Sequence, residues 1–153
     1  MLRRPSGGGA VFHDLGNINY SIYLPHGCVT GFSIEESLQA LSFPVTEVLD
    51  LLAVPWSWEP PNNVYVGGRK ISGSAQARSG GRLLHHGTLL VGTDLSKMGL
   101  LLKEGGRSRT APVTNLKEWA TGIDPAEAAD LLMKAATGVF ATARGVVAAA
   151  HSS

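Results

Sequence analysis

The segment Val64-Tyr65-Val66-Gly67-Gly68-Arg69-Lys70-Ile71-Ser72-Gly73-Ser74-Ala75-Gln76 decides how this chain is read. Val64, Tyr65 and Val66 favour a strand. Gly67-Gly68 supplies two residues that tolerate positive φ, as a tight hairpin requires, and residues 69–72 return as the partner strand. Downstream, residues 74–78 and 82–91 read as a second hairpin around Ser79-Gly80-Gly81. The middle of the chain is therefore a strand meander, with Lys70 held just after a turn.

Upstream, residues 10–12 and 19–24 read as short strands joined by the turn-rich His13-Asp14-Leu15-Gly16-Asn17. Ser33-Ile34-Glu35-Glu36 has the form of a capping box, with Ile34, Leu38 and Leu41 at helical spacing behind it. Val45, Val48, Leu49 and Leu52 repeat the helical spacing after Pro44. Residues 55–63 read as a loop, because three prolines there cannot extend a helix. Residues 94–103 predict a helix. Asp124-Pro125-Ala126-Glu127 opens the last one, with Leu131, Leu132, Ala135, Val139 and Phe140 as its apolar stripe. Strands and helices in this order predict an α/β (α+β) fold: a mixed, largely antiparallel sheet with packed helices.

Composition narrows the function classes. A net charge of +1 gives no clustered basic face for nucleic acid. No apolar run approaches the roughly 20 residues of a membrane span. A single cysteine, Cys28, excludes an internal disulfide framework and is expected as a buried, inert thiol. A cytoplasmic protein is expected.

Two blocks carry chemistry. In Arg3-Arg4-Pro5-Ser6-Gly7-Gly8-Gly9-Ala10-Val11-Phe12-His13-Asp14, three glycines let backbone N–H groups approach an anion closely, and the arginines supply charge. No Gly-Lys-Ser/Thr follows, so this is not a P-loop. The second block is Gly68-Arg69-Lys70-Ile71-Ser72-Gly73-Ser74-Ala75-Gln76, followed by His85-His86-Gly87-Thr88. Alone, a strand lysine reads as a solvated edge charge. The adjacent His85 and His86 face opposite sides of a strand and cannot chelate one metal. His13-Asp14 reads as a loop-ordering pair.

Together these blocks resemble the lipoate–protein ligase family, within the biotin/lipoate ligase fold. The resemblance covers residues 3–103 well and the remainder loosely. It implies ATP-dependent activation of lipoate (or octanoate) to an acyl-AMP, and transfer to a lysine of a lipoyl-acceptor domain, such as an oxoacid dehydrogenase E2 or a glycine-cleavage H protein. It implies Lys70 as the catalytic cation contacting the acyl carboxyl and the α-phosphate. Arg4, Ser6, Gly7, Gly8, Gly9, Ala10, Val11, Phe12, His13, Asp14, Ser72, Gly73, Ala75 and His86 are implied as ATP- and lipoate-binding. In the family an Asn-Asp pair near residues 62–63 accompanies magnesium. Asn stands at both positions here, so Asn63 is a candidate ligand without negative charge. Trp56 and Trp58 are expected as loop anchors or as walls of an acyl slot.

The resemblance also frames the alternatives. Octanoyl or lipoyl transferases of the same fold need no ATP but use a cysteine shortly before the Gly-Arg-Lys motif, where this chain has none. A glycine-rich loop that starts so near Met1 reads as a partial ligase catalytic domain over 1–153, with a motif-bearing core at 3–103 and a helical part at 113–145. That partial domain is read as the ligase; the alternatives are a truncated fragment that binds ligand without turnover, and a separate chain that supplies the missing or accessory parts.

Overall fold

The computed structural model describes residue 6 and residues 9–102 and 111–150. Five antiparallel strands form one sheet in the order β1-β5-β4-β3-β2: β1 (Asn17–Pro25), β2 (Ser57–Glu59), β3 (Asn63–Val66), β4 (Arg69–Ser79) and β5 (Arg82–Leu90). Both predicted hairpins form. Gly67 and Gly68 take φ of 56° and 71°, and Gly80 and Gly81 take 57° and 71°. Positive φ at both central residues is the turn geometry that matches strand twist, and glycine adopts it without a side-chain clash.

One face of the sheet is covered by α2 (Phe43–Leu51) and α4 (Pro125–Ala150). Val45, Val48 and Leu49 from α2 and Ala128 and Leu132 from α4 close over Val64, Val66, Ile71, Leu89 and Val91. α1 (Ile34–Ala40) lies against β4 and begins with the expected capping box, Ser33 Oγ accepting from Glu36 N and Glu36 returning the contact to Ser33 N. The opposite face carries α3 (Leu95–Leu102) and the segment of residues 9–13, with a cleft between them and the sheet. Among the described residues no helix is long and apolar enough to cross a membrane.

Several expectations are corrected. Residues 10–12 form no strand; among the described residues none pairs with them, and they run along the cleft. Residues 69–72 and 74–78 are one strand rather than two, because Gly73 keeps its place opposite both Asn63 and Thr88. Ser57–Glu59 forms β2, since these residues lie between Pro55 and Pro60 and their backbone is free to pair with β3. Ile34 is exposed, on the solvent side of its helix's first turn. Cys28 is exposed too: in the one-turn 3-10 helix His26–Val29 only Val29 is buried. In α4, Leu132 and Ala135 are buried and Leu131 packs on the core, while the side chains of Val139 and Phe140 lie outside the described residues.

Candidate active site

Lys70 is positioned by its backbone. β5 pairs with β4 only from Ser72 onward, which leaves the first residues of β4 without that neighbour. Residues 112–114 take its place: Lys70 N donates to Pro112 O (2.8 Å) and Lys70 O accepts from Thr114 N (3.0 Å), a parallel bridge to Val113. On its other side Lys70 pairs with Tyr65. Val64 faces Ser72 and Tyr65 faces Lys70, so Ile71 is a bulge residue, and bulges re-aim the side chains beside them. Ile71 is fully buried in the core, whereas Lys70 lines the cleft.

The preceding turn is braced as well. The Trp119 ring lies where a Cβ on Gly67 would sit, 2.3 Å from that point. Trp119 Nε1 donates to Thr114 Oγ1 (2.9 Å). Arg69 stacks on the same ring at 5.4 Å and pairs with Glu118 at 2.7 Å.

The Lys70 side chain lies along Gly73. A Cβ on Gly73 would come 2.7 Å from Nζ and 2.8 Å from Cε of Lys70, and 3.4 Å from Asn63 Oδ1. Both ion pairs among the described residues lie elsewhere, Arg69 with Glu118 and Lys97 with Asp94. Burial pushes the Lys70 pKa below its usual value. A cation desolvated without a counter-charge gains most when an anion arrives, because the anion offsets the desolvation cost. Asn63 Oδ1, in the same wall, is buried and accepts no hydrogen bond. Asn62 is engaged within the protein, its Nδ2 donating to Ser74 O and its own carbonyl accepting from Ser74 N (3.0 Å).

The cleft occupies about 1210 Å³, more than the roughly 300–1,000 Å³ typical of a pocket for one small ligand. Gly9, Ala10, Val11, Phe12 and His13 form one wall; Asn63, Lys70, Ser72, Gly73, Ala75 and His86 line the sheet side. Leu95, Met98 and Leu102 of α3 supply an apolar third side. Among the predicted site residues, Arg4, Gly7 and Gly8 lie outside the described residues. Ser6 is buried and hydrogen-bonded to His86 Nε2, which ties the start of the glycine-rich segment to β5. Asp14 does not line the cleft. Its Oδ1 accepts from Gly16 N (2.9 Å) and its Oδ2 from Asp94 N (2.8 Å). His13 Nδ1 meets Asn17 Nδ2 at 3.1 Å, so His13 and Asp14 order the loop.

The two adjacent histidines divide as alternation demands. His86 faces the cleft, whereas His85 is fully buried on the helix-covered side. Desolvation, with a smaller contribution from His86, pulls the His85 pKa down to about 4. The ring is therefore neutral near pH 7. Gln76 has its carbonyl oxygen occupied by Ser37 and Arg78, so its amide N–H points to His85 Nδ1 (3.3 Å). That leaves the proton on Nε2, facing Tyr20 OH at 3.4 Å.

Trp56 and Trp58 do not line the cleft: Trp56 donates to Asp50 Oδ1 (2.8 Å) and Trp58 packs on the core. Cys28 does not line it either. Among the described residues no group of three or more His, Cys, Asp or Glu could hold a metal. Sequence reading missed residues 112–114, Trp119 and Asn17. The Asn115-x-x-Glu118 spacing was an available signal, being a capping pattern in which Asn115 N donates to Glu118 Oε1 (3.0 Å).

Residues 1–137 match the lipoyl protein ligase A/B catalytic domain model. A lipoate-protein ligase A of Psychrobacter cryohalolentis is 37% identical over 144 residues, covering 88% of this chain and 40% of that protein. A bipartite lipoate protein ligase of Thermoplasma acidophilum, solved in a study that includes its E2 lipoyl domain, superposes with a TM-score of 0.71 at 26% identity, covering 87% of this chain and 55% of that one. A lipoate-protein ligase A bound with ATP superposes with the same TM-score and identity, covering 87% and 56%. The chain spans about two fifths of the length of the curated relatives it matches.

Proposed function

Because the chain belongs to the lipoyl protein ligase A/B catalytic domain family, we propose that its cleft activates lipoate, or octanoate, with ATP and passes the acyl group to a lysine of a lipoyl-acceptor domain. The observation that carries this reading is the Lys70 ammonium: half-buried, held on a doubly clamped strand, and lining one cleft with Gly9 and the residues that follow it.

In the first step a carboxylate oxygen of the acyl acid attacks the α-phosphorus. The new C–O–P linkage forms as the bond to the β-phosphate oxygen breaks, and pyrophosphate leaves. Two anions must approach, and negative charge grows on the phosphoryl oxygens. A fixed, poorly solvated cation stabilises that arrangement more than the separated substrates, which is the condition for catalysis. In the second step the acceptor amine attacks the acyl carbon, an amide forms, AMP leaves and the amine loses its proton. Lys70 would polarise the carbonyl by charge alone.

The backbone of Gly7, Gly8 and Gly9, with Arg4, would embrace the nucleotide. Ala10, Val11, Phe12 and His13 would cover the adenylate, while Ser72, Gly73, Ala75 and His86 form the sheet-side wall. Magnesium bound with ATP would neutralise phosphate charge. Asn63 fits as a neutral oxygen ligand, since its carbonyl is buried in the cleft wall without a hydrogen bond. The expected partners are E2 lipoyl domains and glycine-cleavage H protein. We assign the motif-bearing core to residues 3–103 and a helical part to 113–145 of one catalytic unit, and infer a cytoplasmic location from a single cysteine.

The test incubates the chain with lipoate and Mg-ATP, then with an acceptor domain, and follows both by mass spectrometry. Lipoyl-AMP followed by an acceptor heavier by one lipoyl group supports the reading. Absence of adenylate, with transfer from an octanoylated carrier protein instead, would replace it with the transferase reading.

A further inference from the structure

We propose that Asp14 is a positioning residue that straps the glycine-rich segment to α3, so that a ligand held by one wall of the cleft strengthens binding at the other. The proposal rests on the ligase reading, which requires an acyl acid and a nucleotide in one cleft.

Asp14 follows directly on the cleft-lining residues 9–13 but does not itself line the cleft. Its two carboxylate oxygens reach two different elements, Gly16 N in its own turn and Asp94 N at the head of α3. Asp94 in turn starts that helix: its carboxylate accepts from Lys97 N (3.1 Å) and its carbonyl from Met98 N (3.0 Å). Met98 and Leu95 form the apolar side of the cleft. One carboxylate thus links the segment over the cleft to the helix beside it.

The base of this link is rigid. Asn17 Oδ1 accepts from Asp14 N (3.0 Å), and Gly16 O accepts from both Val91 N (3.0 Å) and Gly92 N (2.8 Å). A Cβ on Gly16 would lie 2.3 Å from Gly92 backbone atoms, so the two turns are in direct backbone contact. Residues 14–17 and 91–94 form one block carrying the segment as one arm and α3 as the other. A ligand that orders one arm restrains the second through this shared block, and such coupling is reciprocal by thermodynamic necessity. An ionised acceptor makes stronger hydrogen bonds than a neutral one, which suits Asp to this place.

The test is calorimetric titration of lipoate and of α,β-methylene-ATP with magnesium, each alone and with the other saturating. In the parent protein each ligand should tighten the other by about five-fold or more. Asp14→Ala removes both bonds. Asp14→Asn, nearly the same shape, can satisfy only one of the two N–H groups, and it keeps the test decisive if the alanine variant folds poorly. Mutual enhancement should fall below about two-fold in both variants. Independent binding in the parent, or equal loss of both affinities in the variants with their enhancement intact, would overturn the proposal. If neither ligand binds the parent protein, the ligase reading fails and the proposal falls with it.

Discussion

Replacing Gly73 with alanine is expected to move the ammonium of Lys70 without removing it. The new methyl would stand 2.7 Å from Nζ and 2.8 Å from Cε of Lys70, whereas carbon contacts settle near about 3.5–4.0 Å. The tip of the side chain must therefore retreat by roughly 1 Å. The obstacle is the far end of a flexible chain, so a rotamer adjustment costing about 0.5–1.5 kcal/mol relieves it. Loss of glycine freedom in the unfolded chain returns about 0.4–1 kcal/mol. Stability should thus change by less than about 1 kcal/mol. Catalysis should respond far more, since a misplacement of about 1 Å at a reacting centre can cost on the order of 100-fold. Thermal melting and the rate of lipoyl-AMP formation, measured on the same preparation, separate the two effects. A folded Gly73→Ala protein that forms adenylate within about three-fold of the parent rate would refute the assigned position of Lys70.

Further expectations concern the scaffold and the charges. His85 has its folded pKa depressed to about 4 from 6.5, so the unfolded chain binds more protons between those values. Stability should be full above pH 6.5 and fall by roughly 3 kcal/mol as pH drops through that window, followed by urea titration; a His85→Gln protein with the same pH slope would contradict the assignment. Trp119→Ala should destabilise the protein by about 1–3 kcal/mol and lower adenylation, because it removes the brace on the Gly67 turn and the support for Arg69 and Thr114. Gly16→Ala should cost about 1–3 kcal/mol in chemical denaturation, since its Cβ would overlap backbone rather than a side chain. Burial lowers the Lys70 pKa and a bound anion should raise it again, so above neutral pH nucleotide binding should take up protons. That uptake appears as a binding enthalpy that varies with the ionisation enthalpy of the buffer.

Local patterns with a single physical solution were legible in the sequence. Two glycine pairs could only serve hairpins, and Ser33-x-x-Glu36 could only open a helix economically, so most of the sheet and α1 follow from short-range rules. Alternation placed His85 and His86 on opposite faces. Features decided by distant partners were not legible. Residues 10–12 have strand-like side chains but, among the described residues, no strand beside them. Ser57–Glu59 looks like loop until β3 offers it a ladder. The clamp on Lys70 comes from Pro112 and Thr114, whose own short stretch, Ala111-Pro112-Val113-Thr114, carries no local sign of a strand. The resemblance assigns Asp14 to ligand binding, whereas its carboxylate serves two backbone N–H groups.

The role of Lys70 is decided by substituting it with alanine and assaying lipoyl-AMP formation from lipoate and Mg-ATP. A loss of about 1,000-fold or more with an unchanged melting temperature is predicted, as expected when a preorganised charge at a phosphoryl-transfer centre is removed. Retention of most of the adenylation rate by the folded Lys70→Ala protein would contradict the account.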